Sequence, residues 1–144
     1  MKRLLLILAC VTFLVNCSNT DSDKSSKLVG TWKMIYAETI ENDSLKIKDL
    51  TNTNFIKIFN NSHFSFFNQN KNSVQSFYAG AGIYTLKGTE YVEILNFTSV
   101  QAIKNHRFPF TVQFKGDTLI QSGIEEIKEA GIKRNIIEKY IKTN

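Results

Sequence analysis

The chain has 144 residues and a formal net charge of +5, and its lysines and arginines are scattered rather than clustered. Nucleic-acid-binding proteins usually concentrate basic residues in one patch, so this distribution argues against nucleic acid as a partner. The only two cysteines are Cys10 and Cys17. A domain built from the later residues therefore has no disulfide, no thiol nucleophile and no cysteine-based metal site.

The N-terminus has the pattern of a signal peptide. Basic residues in Met1-Lys2-Arg3 precede an apolar run that ends at Val15, which is shorter than the ~20 residues of a membrane-spanning helix. The following Leu14-Val15-Asn16-Cys17 resembles a bacterial lipobox, the signal for attaching diacylglycerol to the cysteine. We predict a lipoprotein signal peptide over residues 1–16 and lipidation of Cys17. Cys10 would leave too little apolar sequence upstream.

Residues 17–27 are predicted to be the lipidated cysteine and a flexible tether, because Ser18–Lys27 is polar and contains no apolar side chain. Each buried CH₂ of an acyl chain contributes ~0.8 kcal/mol, so several chains hold a protein on a membrane permanently. The predicted location is the cell envelope, lipid-anchored at the outer membrane and facing either the periplasm or the surface. Ordinary secretion of a soluble protein is the alternative.

Residues 28–144 are predicted to form one all-β domain. In the first strand Trp32, Met34 and Tyr36 alternate with Lys33 and Ile35. Alternation places successive side chains on opposite faces of a strand. Further strands are predicted at Phe55–Asn60, His63–Asn68, Gly82–Lys87, Tyr91–Thr98, Arg107–Lys115 and Leu119–Ser122.

The end of the chain is open to two interpretations. Ile132, Ile136, Ile137, Tyr140 and Ile141 recur at helical spacing, which favours an amphipathic helix. The alternative is a short helix or loop around Ile124–Ala130, followed by a closing strand over Ile136–Lys142.

Several segments together resemble the lipocalin-like domain of bacterial lipoproteins, most of which have no assigned function. The Gly30-Thr31-Trp32 segment is similar to the Gly-x-Trp start of lipocalins and fatty-acid-binding proteins. Lys57–Phe59, His63–Phe66, Gly80–Gly88 and Phe114–Leu119 extend the resemblance over nearly the whole predicted domain. It implies an antiparallel up-and-down barrel of eight to ten strands, and it favours the closing strand at the C-terminus.

The same resemblance implies that Gly30 and Trp32 close one end of the barrel. A basic side chain from the last strand would cover Trp32 by a cation–π contact. Arg134, Lys139 and Lys142 are equally good candidates for this side chain.

A barrel of this size either holds one small ligand or is packed shut. The residues predicted to line a cavity are aromatic: Tyr36, Phe64, Phe66, Tyr84, Phe97, Phe108 and Phe110. Fatty-acid-binding proteins clamp a carboxylate with an Arg-x-Tyr pair, whereas this chain has Glu138-Lys139-Tyr140. That difference argues against fatty-acid binding. Lys57 shares a strand face with Phe55 and Phe59, and it either offers a charge to a ligand in place of that arginine or is solvated on an open face. We predict the solvated position.

No catalytic site, cofactor site or metal site is predicted. The two histidines, His63 and His106, lack the spacing of metal ligands. Glu90 and Glu93 should lie on opposite faces of their strand, while Glu125, Glu126 and Glu129 resemble a solvated surface. Gly80-Ala81-Gly82 is predicted to mark a bulge rather than a phosphate-binding loop.

Two hypotheses for function remain. In the first, the barrel is a membrane-anchored carrier or sensor of a small hydrophobic ligand, and the aromatic content favours it. In the second, the barrel is a packed scaffold whose loops at Asn68–Ser76 and Phe97–His106 bind another envelope protein. Inhibition of a protease or toxin by the same loops is a weaker variant of the second.

Overall fold

A computed structural model describes residues 25–143 of the chain. The predicted signal peptide and the lipidation of Cys17 lie outside these residues, as does most of the predicted tether. A helical turn at residues 25–28 leads into nine strands. In chain order they are β1 Gly30–Glu41, β2 Ser44–Ile47, β3 Thr53–Phe59, β4 His63–Asn70, β5 Ser73–Lys87, β6 Glu90–Thr98, β7 Arg107–Lys115, β8 Thr118–Ile127 and β9 Ile132–Thr143.

Eight of the strands form a closed antiparallel barrel. Strands β3 to β8 each pair with the next strand in the chain, and β1 pairs with both β3 and β9. Closure removes the two free edge strands that an open eight-stranded sheet would have. The extra strand, β2, pairs with the second half of β1, with Glu38 opposite Ile47. The all-β, up-and-down prediction is confirmed.

The two predicted hairpins are also present. The β3–β4 turn lies at residues 60–62, where the Asn60 side chain accepts hydrogen bonds from the backbone N–H groups of Ser62 and His63. The β5–β6 hairpin turns at residues 88–89. The segment Asn68–Ser76, predicted to be a loop, instead continues β4 and β5 with only residues 71–72 between them.

The C-terminal segment is a strand. Strand β8 continues to Ile127, a 3₁₀ turn occupies Lys128–Ala130, and β9 begins at Ile132. The amphipathic helix that the spacing of Ile132 to Ile141 favours is therefore wrong, and the closing strand is confirmed. β9 pairs with β8 on one side and with β1 on the other. A helix in this position could not pair with both strands and close the barrel.

One end of the barrel is closed by a packed cluster around Trp32. The indole N–H of Trp32 donates a hydrogen bond to the Leu28 carbonyl oxygen at 2.8 Å, and its ring packs on Phe114 with centroids 6.0 Å apart. Lys142 supplies the predicted cation–π contact, with its Nζ 5.4 Å from the Trp32 ring. Of the other two candidates, Arg134 pairs with Glu125 and Lys139 lies over Tyr36.

Two β-bulges reverse the alternation of side chains. Ile35 is an extra residue in β1, since Met34 faces Tyr140 while Tyr36 already faces Lys139. Asn96 is an extra residue in β6, between Leu95 and Phe97. An inserted residue moves the following side chains to the opposite face. The prediction that Tyr36 and Phe97 point inward is therefore wrong.

The glycine segment explains the second bulge. A Cβ atom on Gly82 would lie 1.8 Å from the Ile94 carbonyl oxygen, so no side chain fits at this approach of β5 to β6. The prediction that Gly80-Ala81-Gly82 marks a bulge is confirmed by the register shift between Ala81 and Gly82.

Candidate functional site

The barrel contains a cavity of about 430 Å³ that is open at the end opposite Trp32. Small-molecule sites in proteins commonly have volumes of roughly 300–1,000 Å³. The cavity walls come from every strand of the barrel and from β2. Its size and position make it the candidate functional site.

Much of the cavity wall is apolar. The apolar lining residues are Met34, Phe55, Phe66, Leu95, Ile103, Phe108, Phe110 and Ile136. Phe55 stacks on Phe66 with ring centroids 5.6 Å apart, and Phe108 stacks on Phe110 at 6.1 Å. These paired rings give the cavity flat aromatic surfaces suited to a hydrophobic body.

Of the seven residues predicted to line a cavity, three do so: Phe66, Phe108 and Phe110. Phe64 and Tyr84 point inward but are buried in the packed closed end, below the cavity. There the Tyr84 hydroxyl donates a hydrogen bond to the Asn60 carbonyl oxygen at 2.6 Å. Tyr36 and Phe97 lie on the outer face, and Phe97 is 70% exposed.

The floor of the cavity is polar, which the sequence analysis did not anticipate. Lys57, Glu93, Gln121, Glu138 and Tyr140 meet there, on strands β3, β6, β8 and β9. Lys57, Glu93 and Glu138 each lie one inward position below an apolar residue of the same strand, which is Phe55, Leu95 and Ile136 respectively. This polar floor separates the cavity from the packed closed end.

Lys57 is the centre of the polar floor, and only 3% of it is exposed. Its ammonium group forms an ion pair with Glu93 and donates a hydrogen bond to Gln121 Oε1 at 2.9 Å. The rings of Phe64 and Tyr91 lie 5.2 and 5.6 Å from Nζ. The prediction that Lys57 is solvated is therefore wrong, because alternation places it inside a closed barrel.

Two tyrosines support the two carboxylates of the floor. Tyr91 donates a hydrogen bond to Glu93 Oε1 and Tyr140 donates one to Glu138 Oε2, both at 2.6 Å. Burial raises the pKa of both phenols well above 10.0. Both tyrosines therefore remain neutral hydrogen-bond donors in the folded protein.

Glu138 also lines the cavity, and no lysine or arginine within residues 25–143 forms a salt bridge with it. Burial raises its pKa, and the charges of Glu93 and Glu125 raise it further. Lys57 and the Tyr140 hydroxyl act in the opposite direction. The result is a carboxyl group whose ionised form is incompletely compensated by its surroundings.

Charged side chains also border the mouth. Arg134 Nε lies 2.5 Å from Glu125 Oε2, and both side chains line the cavity. Glu125 is therefore part of the wall rather than a freely solvated residue. Lys48 lies over the rings of Phe55 and Tyr78, each 5.8 Å from its Nζ, and burial lowers its pKa.

Sequence alternation could have revealed Lys57 and Glu93. Each occupies an inward position between two aromatic or aliphatic side chains, Phe55 and Phe59 in one strand, Tyr91 and Leu95 in the other. A lysine and a glutamate at inward positions of different strands are complementary in charge. Their spatial proximity depends on the barrel's closure and cannot be read from spacing along the chain.

Within residues 25–143, no group of three or more His, Cys, Asp or Glu side chains is arranged to hold a metal ion. Across the same residues, the helical segments are too short and too polar to span a membrane.

Comparisons with known proteins identify the fold. A lipocalin-like protein from Bacteroides uniformis is similar in structure, with a TM-score of 0.51 and 18% sequence identity over 81% of this chain and 99% of that chain. An uncharacterized protein from Bacteroides eggerthii gives a TM-score of 0.49 and 16% identity over 78% and 99% of the two chains. No family model matches the sequence, and no curated protein matches it. The chain has a lipocalin-like fold.

Proposed function

We propose that this lipocalin-like barrel binds a small hydrophobic molecule in its cavity, as a carrier or sensor in the cell envelope. The observation that carries the proposal is the open cavity of about 430 Å³ with stacked aromatic walls. A barrel that served only as a packed scaffold would fill this volume with side chains, because protein interiors are normally close-packed. The open volume is therefore the strongest support for a ligand.

The direction of β1 favours a ligand that arrives from the aqueous side. β1 starts at the closed end, where Leu28 and Trp32 pack, and runs toward the mouth, where Glu41 lines the cavity. A lipid anchor at Cys17 would therefore attach near the closed end. The mouth would then lie at the end of the barrel farther from the anchor.

Ligand binding can be tested on a chain that begins at Ser18, purified under mild conditions and measured by native mass spectrometry. We expect co-purifying hydrophobic mass or uptake of an added hydrophobic fluorophore. Replacing Ala37, which lines the cavity, by Phe should reduce binding by filling the space. Ala79→Phe, on the outer face, is the matched control. A clean unliganded mass and no uptake of any hydrophobic probe would contradict the proposal.

The lipid anchor is proposed on the lipobox alone and needs its own experiment. Cells that express the full chain would be labelled with palmitate, and the protein would be followed into the membrane fraction. Cys17→Ser should abolish the label and release the protein, whereas Cys10→Ser should change neither. Labelling and membrane association that survive Cys17→Ser would refute the anchor.

The alternative function, binding of another envelope protein, is supported by a different observation. Exposed apolar side chains cluster on the outer face of β4, β5 and β6, where Phe67, Phe77 and Phe97 border a shallow groove. Exposed apolar patches often mark interaction surfaces. A photo-crosslinker in place of Phe97, compared with one at the exposed Thr85, tests this alternative. A specific adduct only at position 97 would favour it.

A further inference from the structure

The polar floor of the cavity treats its two carboxylates differently. Glu93 receives the ammonium group of Lys57 and the hydroxyl of Tyr91. Glu138 receives only the Tyr140 hydroxyl, and within residues 25–143 no lysine or arginine forms an ion pair with it. The charge of Glu93 is thus compensated by a cation of the protein, whereas Glu138 lines the cavity with only a hydrogen bond from Tyr140.

The nearby cations are already engaged elsewhere. Lys57 is held between Glu93 and Gln121, and Arg134 is paired with Glu125. Lys48 lies nearer to the mouth over aromatic rings, and although the charge of Glu138 attracts it, the two side chains form no ion pair among residues 25–143. When Glu93 and Glu138 are both ionised, the floor therefore has two negative charges and the single positive charge of Lys57.

We propose that Glu138 is the recognition group for a hydrophobic ligand with a protonated amine at one end. The inference rests on the proposed carrier function and adds the chemical class of the ligand. The amine would enter first, with its ammonium group donating a hydrogen bond to Glu138, while the hydrophobic body lies between Phe55, Phe66 and Phe110. The positive charge of the ammonium group would compensate the second negative charge of the polar floor.

The same charges disfavour a hydrophobic carboxylic acid. Its carboxylate would approach Glu138 and Glu93, and the one cation of the floor already has an ion-pair partner. Like charges in a poorly solvated site are strongly unfavourable. A neutral alcohol can donate a hydrogen bond to Glu138 but cannot balance its charge. We therefore expect binding affinity to decrease from the amine to the alcohol and from the alcohol to the acid.

The proposal also predicts how affinity depends on pH. A protonated Glu138 cannot accept the ammonium group as an anion, so binding of the amine should strengthen as pH rises through the pKa of Glu138, which burial raises. Binding of a carboxylic acid should weaken over the same range. The titratable and charged groups around Glu138 are Lys48, Lys57, Tyr78, Glu93, Glu125 and Tyr140.

The experiment is a calorimetric titration of the chain that begins at Ser18 with octylamine, octanol and octanoate, all below their micellar concentrations. These compounds share one hydrocarbon chain and differ in the end group. We expect octylamine to bind at least about tenfold more tightly than octanol, a factor that corresponds to about 1.4 kcal/mol. Glu138→Gln should remove this preference, while Glu90→Gln, on an exposed residue of β6, should retain it.

Each outcome decides the proposal. An amine preference that disappears in Glu138→Gln supports it, as does amine affinity that rises with pH in the unmodified protein if the variant fails to fold. Equal affinity for octylamine and octanol, a preference that persists in Glu138→Gln, or tightest binding of octanoate would overturn it and leave the carrier function standing. Failure of all three compounds and of a neutral hydrophobic fluorophore would overturn both.

Discussion

Lys57 on β3 and Glu93 on β6 form an ion pair inside the barrel, although 36 positions separate them in the sequence. Their side chains are 4% and 9% exposed, so both charges have left bulk water. Burying a charge is unfavourable unless a partner and further hydrogen bonds compensate it. Gln121 and Tyr91 provide those hydrogen bonds, and the network links strands β3, β6 and β8 across the interior.

Removing one member of this pair should destabilise the barrel strongly. Lys57→Met leaves Glu93 buried without a cation, which typically costs about 3–5 kcal/mol of unfolding free energy. Urea unfolding followed by circular dichroism would measure the change. Lys33→Met, on the exposed face of β1, is the matched control and should change stability by less than about 0.5 kcal/mol. Equal effects of the two variants would show that the buried pair has no special role.

Glu138 should make stability depend on pH. Its pKa is higher in the folded protein than its ordinary value of 4.5, so the folded state binds more protons than the unfolded state between these two values. Stability is therefore lost as pH rises from about 4.5 through the folded pKa. At pH values above its folded pKa, the ionised group destabilises the empty barrel.

Glu138→Gln should consequently raise the unfolding free energy at pH values above the folded pKa of Glu138. The glutamine oxygen can still accept the hydrogen bond from Tyr140. Urea unfolding at a series of pH values should show a flatter profile for this variant above pH 4.5. Glu90→Gln provides the control. A variant less stable than the original protein throughout this range would contradict the interpretation.

Tyr91 and Tyr140 should resist ionisation in alkaline solution. Burial raises the pKa of both phenols well above 10.0, so folding stability should be lost as pH rises beyond that value. Near-ultraviolet absorbance should show these two tyrosines ionising only as the barrel unfolds. Tyr140→Phe should decrease the absorbance change in that step alone. Reversible ionisation of all five tyrosines in an intact barrel would refute this prediction.

Gly82 should not tolerate a side chain. Alanine at this position would place its Cβ against the Ile94 carbonyl oxygen, which forces β5 and β6 apart. The cost should be at least the roughly 1–3 kcal/mol of ordinary overpacking, measured by thermal unfolding. Gly131→Asn is a control, because a Cβ there meets open space and asparagine tolerates its left-handed backbone. A Gly82→Ala variant as stable as the control would contradict the bulge geometry.

Most of the fold could be predicted because each strand has its own local signal. In β7, every second residue is apolar, as Phe108, Phe110 and Val112 show. This strand, Arg107–Lys115, is predicted with its observed bounds. The closing strand was ambiguous because Ile136, Tyr140 and Ile141 suit both a helix and a strand. The deciding factor is hydrogen bonding to β8 and to β1, and β1 is distant in sequence.

The site could be predicted only in part. Phe66, Phe108 and Phe110 were placed correctly because no bulge precedes them in their strands. Tyr36 and Phe97 follow an inserted residue, and a single insertion reverses every later side chain. The polar floor escaped prediction for another reason. From the sequence alone, a charged residue at an inward position predicts a face exposed to water. Its partners lie on strands that are distant in sequence, so a buried ion pair cannot be predicted from the strand itself.

The central claim is that the interior of this barrel, and not its outer surface, binds a small hydrophobic molecule. It is tested most directly by following assigned backbone amide resonances by nuclear magnetic resonance while octylamine or octanol is added. We predict saturable shifts at Leu95, Phe110 and Ile136, whose side chains line the cavity. Shifts confined to Phe67, Phe77 and Phe97 on the outer groove, or no saturable shift at all, would contradict the account.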